Sequence, residues 1–381
     1  MERTKQTGLN ALVEKRIQEK LARGMENVKQ ATSRMLDEGK IAKDFIFEVG
    51  TEKKGIDQRI TFKADPSGRV GSTFNIPKEG KKDFIIHTNA VRQVASRLGI
   101  PGAYILALLQ GEDWQKKLGY QIMNTHNGWT DRNRVLVRAV GSEVRAFLSD
   151  QYRRLDSEMI FGTHIDAIYE KGGKLSDGYM SDTRVLIESI YPRPIEIITE
   201  KNGTILIAFG TRLISSDYGH GALELRSFIL QGVCLNGMVR ESILREIHLG
   251  ARLPDNLGLS QETYKLDSMT MASAVKDWTQ NLYSSEVIKE RMLEIKAATE
   301  ITVDVNQMLT SLKGLNKLMK GECDEIGKIL MKNDPNDGVQ GESTLWKLTQ
   351  GITAYANTVD EERRIDLQEI AGELFKKAIK N

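Results

Sequence analysis

Residues 132–156 read RNRVLVRAVGSEVRAFLSDQYRRLD, and this stretch decides the fold. Residues 132–140 and 143–148 alternate apolar with polar side chains on either side of Gly141-Ser142. A two-residue connection with a leading glycine suits a primed turn, because glycine adopts positive φ without steric cost. The stretch therefore predicts an antiparallel hairpin in which Val137 faces Ala146 and Arg138 faces Arg145.

The residues after this hairpin predict a helix and a sheet. Residues 157–170 have helical spacing, and three runs of strand character follow. The last two runs are joined by Lys201-Asn202-Gly203, and Asn-Gly is among the strongest short hairpin signals. The three predicted strands are 184–191, 194–200 and 204–209, and the apolar run 222–234 extends this sheet or packs on it.

The residues before the hairpin predict helices around a second hairpin. Leucines and other aliphatic residues recur at helical spacing between Leu9 and Leu21. Residues 59–63 and 69–76 flank Asp65-Pro66-Ser67-Gly68, a sequence typical of a tight turn. Two further helices are predicted over 89–98 and 102–124.

Beyond residue 262 every apolar pattern is helical, and the preceding stretch 249–262 is irregular with Pro254. A second loop is expected over 331–343. We therefore expect an α+β fold: a β-hairpin, helix and antiparallel sheet core with a C-terminal all-helical region. The expected units are residues 1–130 (N-terminal helices and hairpin), 131–249 (core) and 260–381 (helical domain).

Composition excludes several classes of protein. The chain has 381 residues with 54 Lys and Arg against 52 Asp and Glu, and splitting it after Ser260 gives 38 against 32 before and 16 against 20 after. The two parts therefore carry +6 and −4, a mild asymmetry that favours a polyanionic partner for the first part. Cys234 and Cys323 lie far apart, and neither a signal peptide nor an apolar stretch of about 18 residues is visible. We expect a cytoplasmic protein without disulfides or a membrane partner.

The polar face of the predicted hairpin supplies the candidate binding site. Arg138 and Arg145, predicted to lie directly opposite each other on paired strands, would repel, and a bound phosphate backbone would neutralise both charges. Arginines interleaved with aromatic rings are typical of surfaces that follow single strands. An equally open interpretation is a solvated face with carboxylates supplied from elsewhere, and a one-residue slip in register would move the arginines into the core. The candidate nucleic-acid-binding residues are Arg132, Arg134, Arg138, Arg145, Phe147, Tyr152, Arg153 and Arg154.

The remaining motifs give little indication of phosphate binding, metal binding or catalysis. Residues 215–223, SSDYGHGAL, and 234–238, CLNGM, are expected to be turns and core rather than phosphate loops. The five histidines show no metal-ligand spacing, so neither a catalytic residue nor a metal site is expected. The one enzyme hypothesis is a metal-dependent nuclease that uses Asp44 with Glu52 and Lys54.

Three segments carry a resemblance to a known family. Residues 145–156 (RAFLSDQYRRLD), 216–223 (SDYGHGAL) and 234–238 (CLNGM) resemble, in this order, signatures of the phage and plasmid-like protein family of unassigned function. The resemblance covers about residues 131–249. Separately, the order of hairpin, helix and three-stranded sheet resembles the core of phage and eukaryotic single-strand annealing proteins, which form rings or helical filaments and hold DNA in a basic groove beside such a hairpin.

Together these patterns predict a non-enzymatic protein that binds and anneals single-stranded DNA during phage or plasmid recombination in a bacterial host cell. It would need no cofactor and would assemble with itself into a ring or filament. The helical tail would contact replication or recombination proteins of host or phage. The alternative class is a scaffold or interaction protein with a basic face. DNA and RNA are not distinguished at this level.

Overall fold

The structure, a computed structural model, describes residues 2–48, 60–76, 79–129, 134–149, 152, 155–231, 236–246, 260–334 and 339–380. Within these residues the chain forms two six-stranded sheets and eleven helices. All residues from Ser260 onward that belong to a regular element are helical. The α+β class with a helical C-terminal region is therefore confirmed.

The elements follow one another in a clear order. The helices are α1 (Glu2–Ile41), α2 (Thr88–Arg97), α3 (Gly102–Gln110), α4 (Asp113–Trp129), α5 (Ser157–Glu170), α6 (Gln261–Leu282), α7 (Ser285–Glu300), α8 (Val305–Gly314), α9 (Lys320–Lys332), α10 (Leu345–Ala356) and α11 (Glu361–Lys380). The strands are β1 (Ala42–Glu48), β2 (Ile60–Ala64), β3 (Val70–Ile76), β4 (Gly80–Ile86), β5 (Arg134–Val140), β6 (Glu143–Ser149), β7 (Lys174–Met180), β8 (Val185–Ile190), β9 (Ile195–Thr199), β10 (Gly203–Ser215), β11 (Leu223–Gln231) and β12 (Asn236–Glu246).

The first sheet unites the two predicted hairpins. Its strand order is β1-β5-β6-β4-β3-β2, and β4 lies parallel to β6 while the other neighbours are antiparallel. Helices α2, α3 and α4 cover one face, where residues such as Phe62, Phe74, Met123 and Val137 are buried. The free edge of β2 is covered by α4, because the side chain of Asn124 bonds both the N–H and the C=O of Phe62.

The register of the central hairpin differs from the predicted one. Near the turn Ala139 pairs with Val144, as expected, but beyond a β-bulge Arg138 pairs with Ala146 and Val137 with Phe147. Arg145 is the extra residue of the bulge, so the predicted Arg138–Arg145 pair is wrong. A bulge inserts one unpaired residue and thereby exchanges the faces of every residue that follows it.

The second sheet has the order β12-β11-β10-β8-β7, and all its pairs are antiparallel. Strand β10 is long enough to pair with β9 through its first half and with β8 through its second half. The C-terminal helices pack on this sheet and share its core, in which Ile207 and Phe209 of β10 lie with Trp346 and Phe375. Helices α7 to α11 therefore contribute to this core of the second sheet.

The backbone of helix α1 packs directly against the backbone of strand β7 in the second sheet. A Cβ atom on Gly24 would lie 1.9 Å from the carbonyl oxygen of Ser176, and one on Gly178 would lie 2.6 Å from the Cα atom of Val28. Only residues without a side chain allow α1 and β7 to approach this closely. The amino end of α1 continues over the sheet, where Val13 and Ile17 are buried.

Four strands were not predicted, and some predicted bounds change. Strands β1, β4, β7 and β12 have polar or glycine-containing sequences with weak alternation. The predicted helix over 102–124 is two helices, because the chain breaks at Gly111 before α4 begins at Asp113. The Asn236-Gly237 pair opens β12 rather than forming a turn. The predicted irregular stretch 249–262 lies outside the described residues up to 259.

Candidate functional site

Arg138 is held in an ion pair with a carboxylate of the neighbouring strand. Its Nε donates to Oδ1 of Asp44 at 2.8 Å, its Nη2 donates to Oδ2 at 3.0 Å, and its Nη1 donates to the carbonyl oxygen of Asp217. The side chains of Arg138 and Asp44 are only 11% and 17% exposed. Burial lowers the pKa of Arg138, but the hydrogen bonds and charge of Asp44 outweigh it and hold the pKa above the ordinary value.

Arg145 is also committed to carboxylates. Its Nη1 donates to Oε2 of Glu38 in α1 at 2.5 Å, and its Nε donates to Oε2 of Glu143 at 3.3 Å. Asp182 lies 3.8 Å from its Nη2, and Arg34 pairs with both Glu38 and Asp182. This network joins α1 to both sheets. Carboxylates from elsewhere meet Arg145, as in the alternative interpretation of the hairpin, but Arg145 is buried at 8% exposure rather than solvated.

The other predicted site residues are divided between the core, a structural contact and the undescribed stretches. Phe147 is 5% exposed and packs under α2, so the prediction that its ring is exposed is wrong. Tyr152 donates its hydroxyl to the carbonyl oxygen of Ser216 at 2.8 Å, and burial raises its pKa. Arg134 is half-buried, and its carbonyl oxygen accepts a hydrogen bond from Arg97. Arg132, Arg153 and Arg154 lie outside the described residues.

The loop of residues 216–222 joins the two sheets. It connects β10 to β11, with Gly219 at φ +72°, and the Ser216 hydroxyl accepts hydrogen bonds from the N–H of Tyr218 and of His220. Asn89 and Gln93 of α2 both donate to the carbonyl oxygen of Tyr218. The predicted turn is therefore confirmed. Two of the three segments that carried the family resemblance, 145–156 and 216–223, meet at this loop.

A cleft of about 430 Å³ opens beside this loop, between α1, β1, β8 and the start of α5. Its charged lining is mainly acidic: Glu38, Asp44, Asp156, Glu158 and Asp217 against Arg138 and Arg184. Such a lining disfavours a phosphate. Among the described residues, no group of three or more His, Cys, Asp or Glu side chains is arranged to hold a metal ion.

The nuclease hypothesis gains no structural support at its one described residue. Asp44 uses both carboxylate oxygens to bind Arg138. Glu52 and Lys54 lie outside the described residues.

A different surface combines cations with aromatic rings, the composition that was predicted for the hairpin. The turn after α5 and the connection between β8 and β9 lie side by side at one end of the second sheet. Lys174 of β7 pairs with Ile190 of β8, and a Cβ on Gly172 would lie 3.8 Å from the ring of Tyr191. We call this surface the tyrosine–lysine surface, which consists of Tyr169, Lys171, Lys174, Tyr191 and Arg193.

The tyrosine–lysine surface combines accessible rings with accessible cations. Tyr169 is 42% exposed, and Lys174 Nζ lies 5.6 Å from the centroid of its ring. Lys171 and Arg193 are exposed, and Tyr191 is half-buried. Within the part of the chain that the structure describes, none of the three cations forms an ion pair within 4 Å.

The sequence pattern did not reveal this surface, because its two segments are short and are separated by the sixteen residues 175–190. The segments are Lys171-Gly172-Gly173-Lys174 and Tyr191-Pro192-Arg193-Pro194. Each combines turn residues with cations or a ring, and a residue before proline is held extended. That composition was a usable signal, but only the pairing of β7 with β8 brings the two segments together.

In comparisons with known proteins, no family model, no curated protein and no solved structure matches the chain. The resemblance to the phage and plasmid-like family stays a prediction. None of the described helices combines the length and apolar character needed to cross a bilayer.

Proposed function

We propose that this protein binds single-stranded DNA at the tyrosine–lysine surface and anneals complementary strands without a cofactor or hydrolysis. The observation that carries the proposal is the juxtaposition of Tyr169, Tyr191, Lys171, Lys174 and Arg193 at one end of the second sheet. Cations neutralise phosphates, and ring faces stack on bases.

The tyrosine rings are the reason for proposing single-stranded rather than double-stranded DNA. Bases in a duplex are stacked on one another and hidden from a protein side chain, whereas an unpaired base offers its face to an accessible ring. Tyr169, with Lys174 beside its ring, would provide such a platform. Backbone contacts and stacking do not depend on sequence, so binding should be tolerant of sequence.

Annealing would require more than one copy of the chain, since a surface with three cations holds only a short stretch of one strand. We therefore extend the proposal to self-assembly, as a ring or filament, in the cytoplasm of a bacterial host. Replication or recombination proteins would contact the C-terminal helices. Light scattering with and without single-stranded DNA tests assembly, and a monomer in both conditions would remove the annealing mechanism.

The decisive experiment is a salt titration of oligothymidylate binding, measured by fluorescence anisotropy. Replacing Lys171, Lys174 and Arg193 with Gln should lower the slope of log affinity against log salt by about 2, at about 0.7 per phosphate contact on a single strand. The matched control replaces Lys265, Lys313 and Lys320, which are exposed cations of the C-terminal helices, with Gln. The control removes the same charge and should leave the slope unchanged.

Substitution of the two tyrosines provides a second, independent test. Replacing Tyr169 and Tyr191 with Ala should weaken binding by about 1–3 kcal/mol for each base that loses its stacking partner. The salt slope should stay the same, because no charge is removed. Equal slopes and affinities for all variants and wild type would show that DNA does not bind at this surface.

A second candidate function is a scaffold or interaction protein. The ion pairs of Arg138 and Arg145 favour it, because carboxylates of the chain already neutralise these two arginines of the predicted basic face. Wild-type protein that binds neither single nor double strands at low salt would make the scaffold the better function.

A further inference from the structure

We infer that helix α6 belongs to the proposed binding site: Lys276 neutralises Glu170 and, together with Gln280, holds it in place, so that the tyrosine–lysine surface stays cationic. This inference rests on the proposed function and assigns a role to the first helix of the C-terminal region. Lys276 acts as a positioning residue, through Glu170 rather than through a contact with DNA.

The contacts of Glu170 occupy both of its carboxylate oxygens. Lys276 Nζ donates to Oε1 at 2.7 Å, and Gln280 Nε2 donates to Oε2 at 2.7 Å. Lys276 and Gln280 are four residues apart in α6 and therefore lie on the same face of the helix. Glu170 is thus clamped from α6, although in sequence it lies between Tyr169 and Lys171 of the binding surface.

Glu170 is the last residue of α5, and the stability of α5 does not account for an acid there. The C-terminal end of a helix carries partial negative charge, which disfavours a carboxylate and favours a cation. The hydrogen bond from Lys276 is the main cause of a lowered pKa for Glu170, which favours the ionised carboxylate. Released from α6, this negative charge would lie among the cations of the surface.

Buried hydrogen bonds fix α6 relative to the turn that follows α5. His164 Nδ1 of α5 and the hydroxyl of Thr279 in α6 are 2.8 Å apart, and both residues are fully buried. At the end of α6 the Tyr283 hydroxyl donates to Ser189 Oγ at 2.8 Å. A Cβ on Gly173 would lie 2.9 Å from that same tyrosine oxygen, so the turn rests directly on Tyr283.

Lys276 is 39% exposed, so a direct contact with a phosphate is the competing explanation. The two explanations differ in what happens when Glu170 is already neutral. If Lys276 acts through Glu170, its loss should cost more affinity while the carboxylate is present than after Glu170→Gln. If it touches a phosphate, its loss should cost the same in both backgrounds.

The test is a double-mutant cycle of the full-length chain with Glu170→Gln, Lys276→Gln and the double variant, using fluorescein-labelled oligothymidylate at low salt. Lys276→Gln should weaken binding about fivefold, the effect of one uncompensated unit charge close to a phosphate in water. Glu170→Gln should bind as tightly as wild type or tighter, and in its background Lys276→Gln should cost clearly less than fivefold, because no released carboxylate then lies among the cations. Lys276→Arg should retain wild-type affinity.

Additive effects in the cycle would overturn the inference and leave the proposed function standing. Wild-type protein that does not bind the oligonucleotide would overturn both. Thermal unfolding of the four proteins is the control, since an exposed pair on the surface should leave their melting temperatures nearly equal. A loss of affinity that follows a loss of folded protein would identify a purely structural clamp and would also overturn the inference.

Discussion

Replacing Arg138 with Gln should destabilise the protein by about 3 kcal/mol, because Asp44 would lose a cation that binds both of its oxygens while its side chain is largely buried. Breaking a buried ion pair from one side costs about 3–5 kcal/mol, and the partial exposure of these side chains, 11% and 17%, places the value at the lower end. The lost bonds are two to Asp44, at 2.8 and 3.0 Å, and one to the carbonyl oxygen of Asp217. A loss of this size is a large part of the 5–15 kcal/mol by which typical domains are stable.

Urea unfolding measures the effect, provided that the m-value is unchanged between variants. Asp44→Asn should also destabilise, and the double variant should lose much less than the sum of the two single losses, because neither charge is left alone. Arg193→Gln is the matched control, since this arginine is exposed and should change stability by less than about 0.5 kcal/mol.

The result that refutes this reasoning is specific. If Arg138→Gln leaves the free energy of unfolding unchanged and lowers the salt slope of oligothymidylate binding by about 0.7, Arg138 contacts a phosphate. The hairpin would then be the binding site, as its sequence pattern suggested, and the tyrosine–lysine surface would not.

Two further predictions concern the core. Burial lowers the pKa of His164 from its ordinary 6.5 to about 3, so the unfolded chain takes up this proton at a higher pH than the folded protein does. The free energy of unfolding is therefore unaffected by this histidine above pH 6.5 and decreases as the pH falls towards 3, by about 2 kcal/mol at pH 5. Urea unfolding between pH 7 and 5 measures it, and His164→Gln should flatten the dependence; an equally steep curve for that variant would assign the effect to other groups. Gly24→Ala should destabilise by about 2 kcal/mol, because its Cβ would lie 1.9 Å from the carbonyl oxygen of Ser176. Gly39→Ala in the same helix, where no atom lies within 4 Å of the new Cβ, should be neutral or stabilising, and equal melting temperatures for the two variants would contradict the close packing of α1 on β7.

Local chemistry alone predicted several elements well. The helix expected over 157–170 is α5, with Asp156 as its N-cap, and the Gly141-Ser142 and Asn202-Gly203 turns close hairpins where they were expected. In each case the signal is a turn residue with a particular backbone preference, or a periodicity over neighbouring residues. Such signals act over a few residues and can therefore be read from the sequence.

The candidate site could not be obtained in this way. A bulge at Arg145 exchanges the faces of the β6 residues that follow it, and no local pattern shows where a strand takes an extra residue. The partner of Arg138 is Asp44, 94 residues away, in a strand that the sequence pattern did not reveal. An arginine row in a strand has the same appearance in sequence whether phosphates or carboxylates neutralise it.

The sequence by itself therefore determined the class of the fold, helices α2 and α5, the helical character of the C-terminal region and the hairpins, because turn chemistry and hydrophobic period are properties of neighbouring residues. The tertiary structure alone decided which charges are already paired and which remain accessible. It brought the segment with Lys171 and Lys174 beside the segment with Tyr191 and Arg193, and it placed Lys276 against Glu170. Those outcomes depend on which strands pair and which helices pack together, and the contacts that settle them join residues distant in the chain.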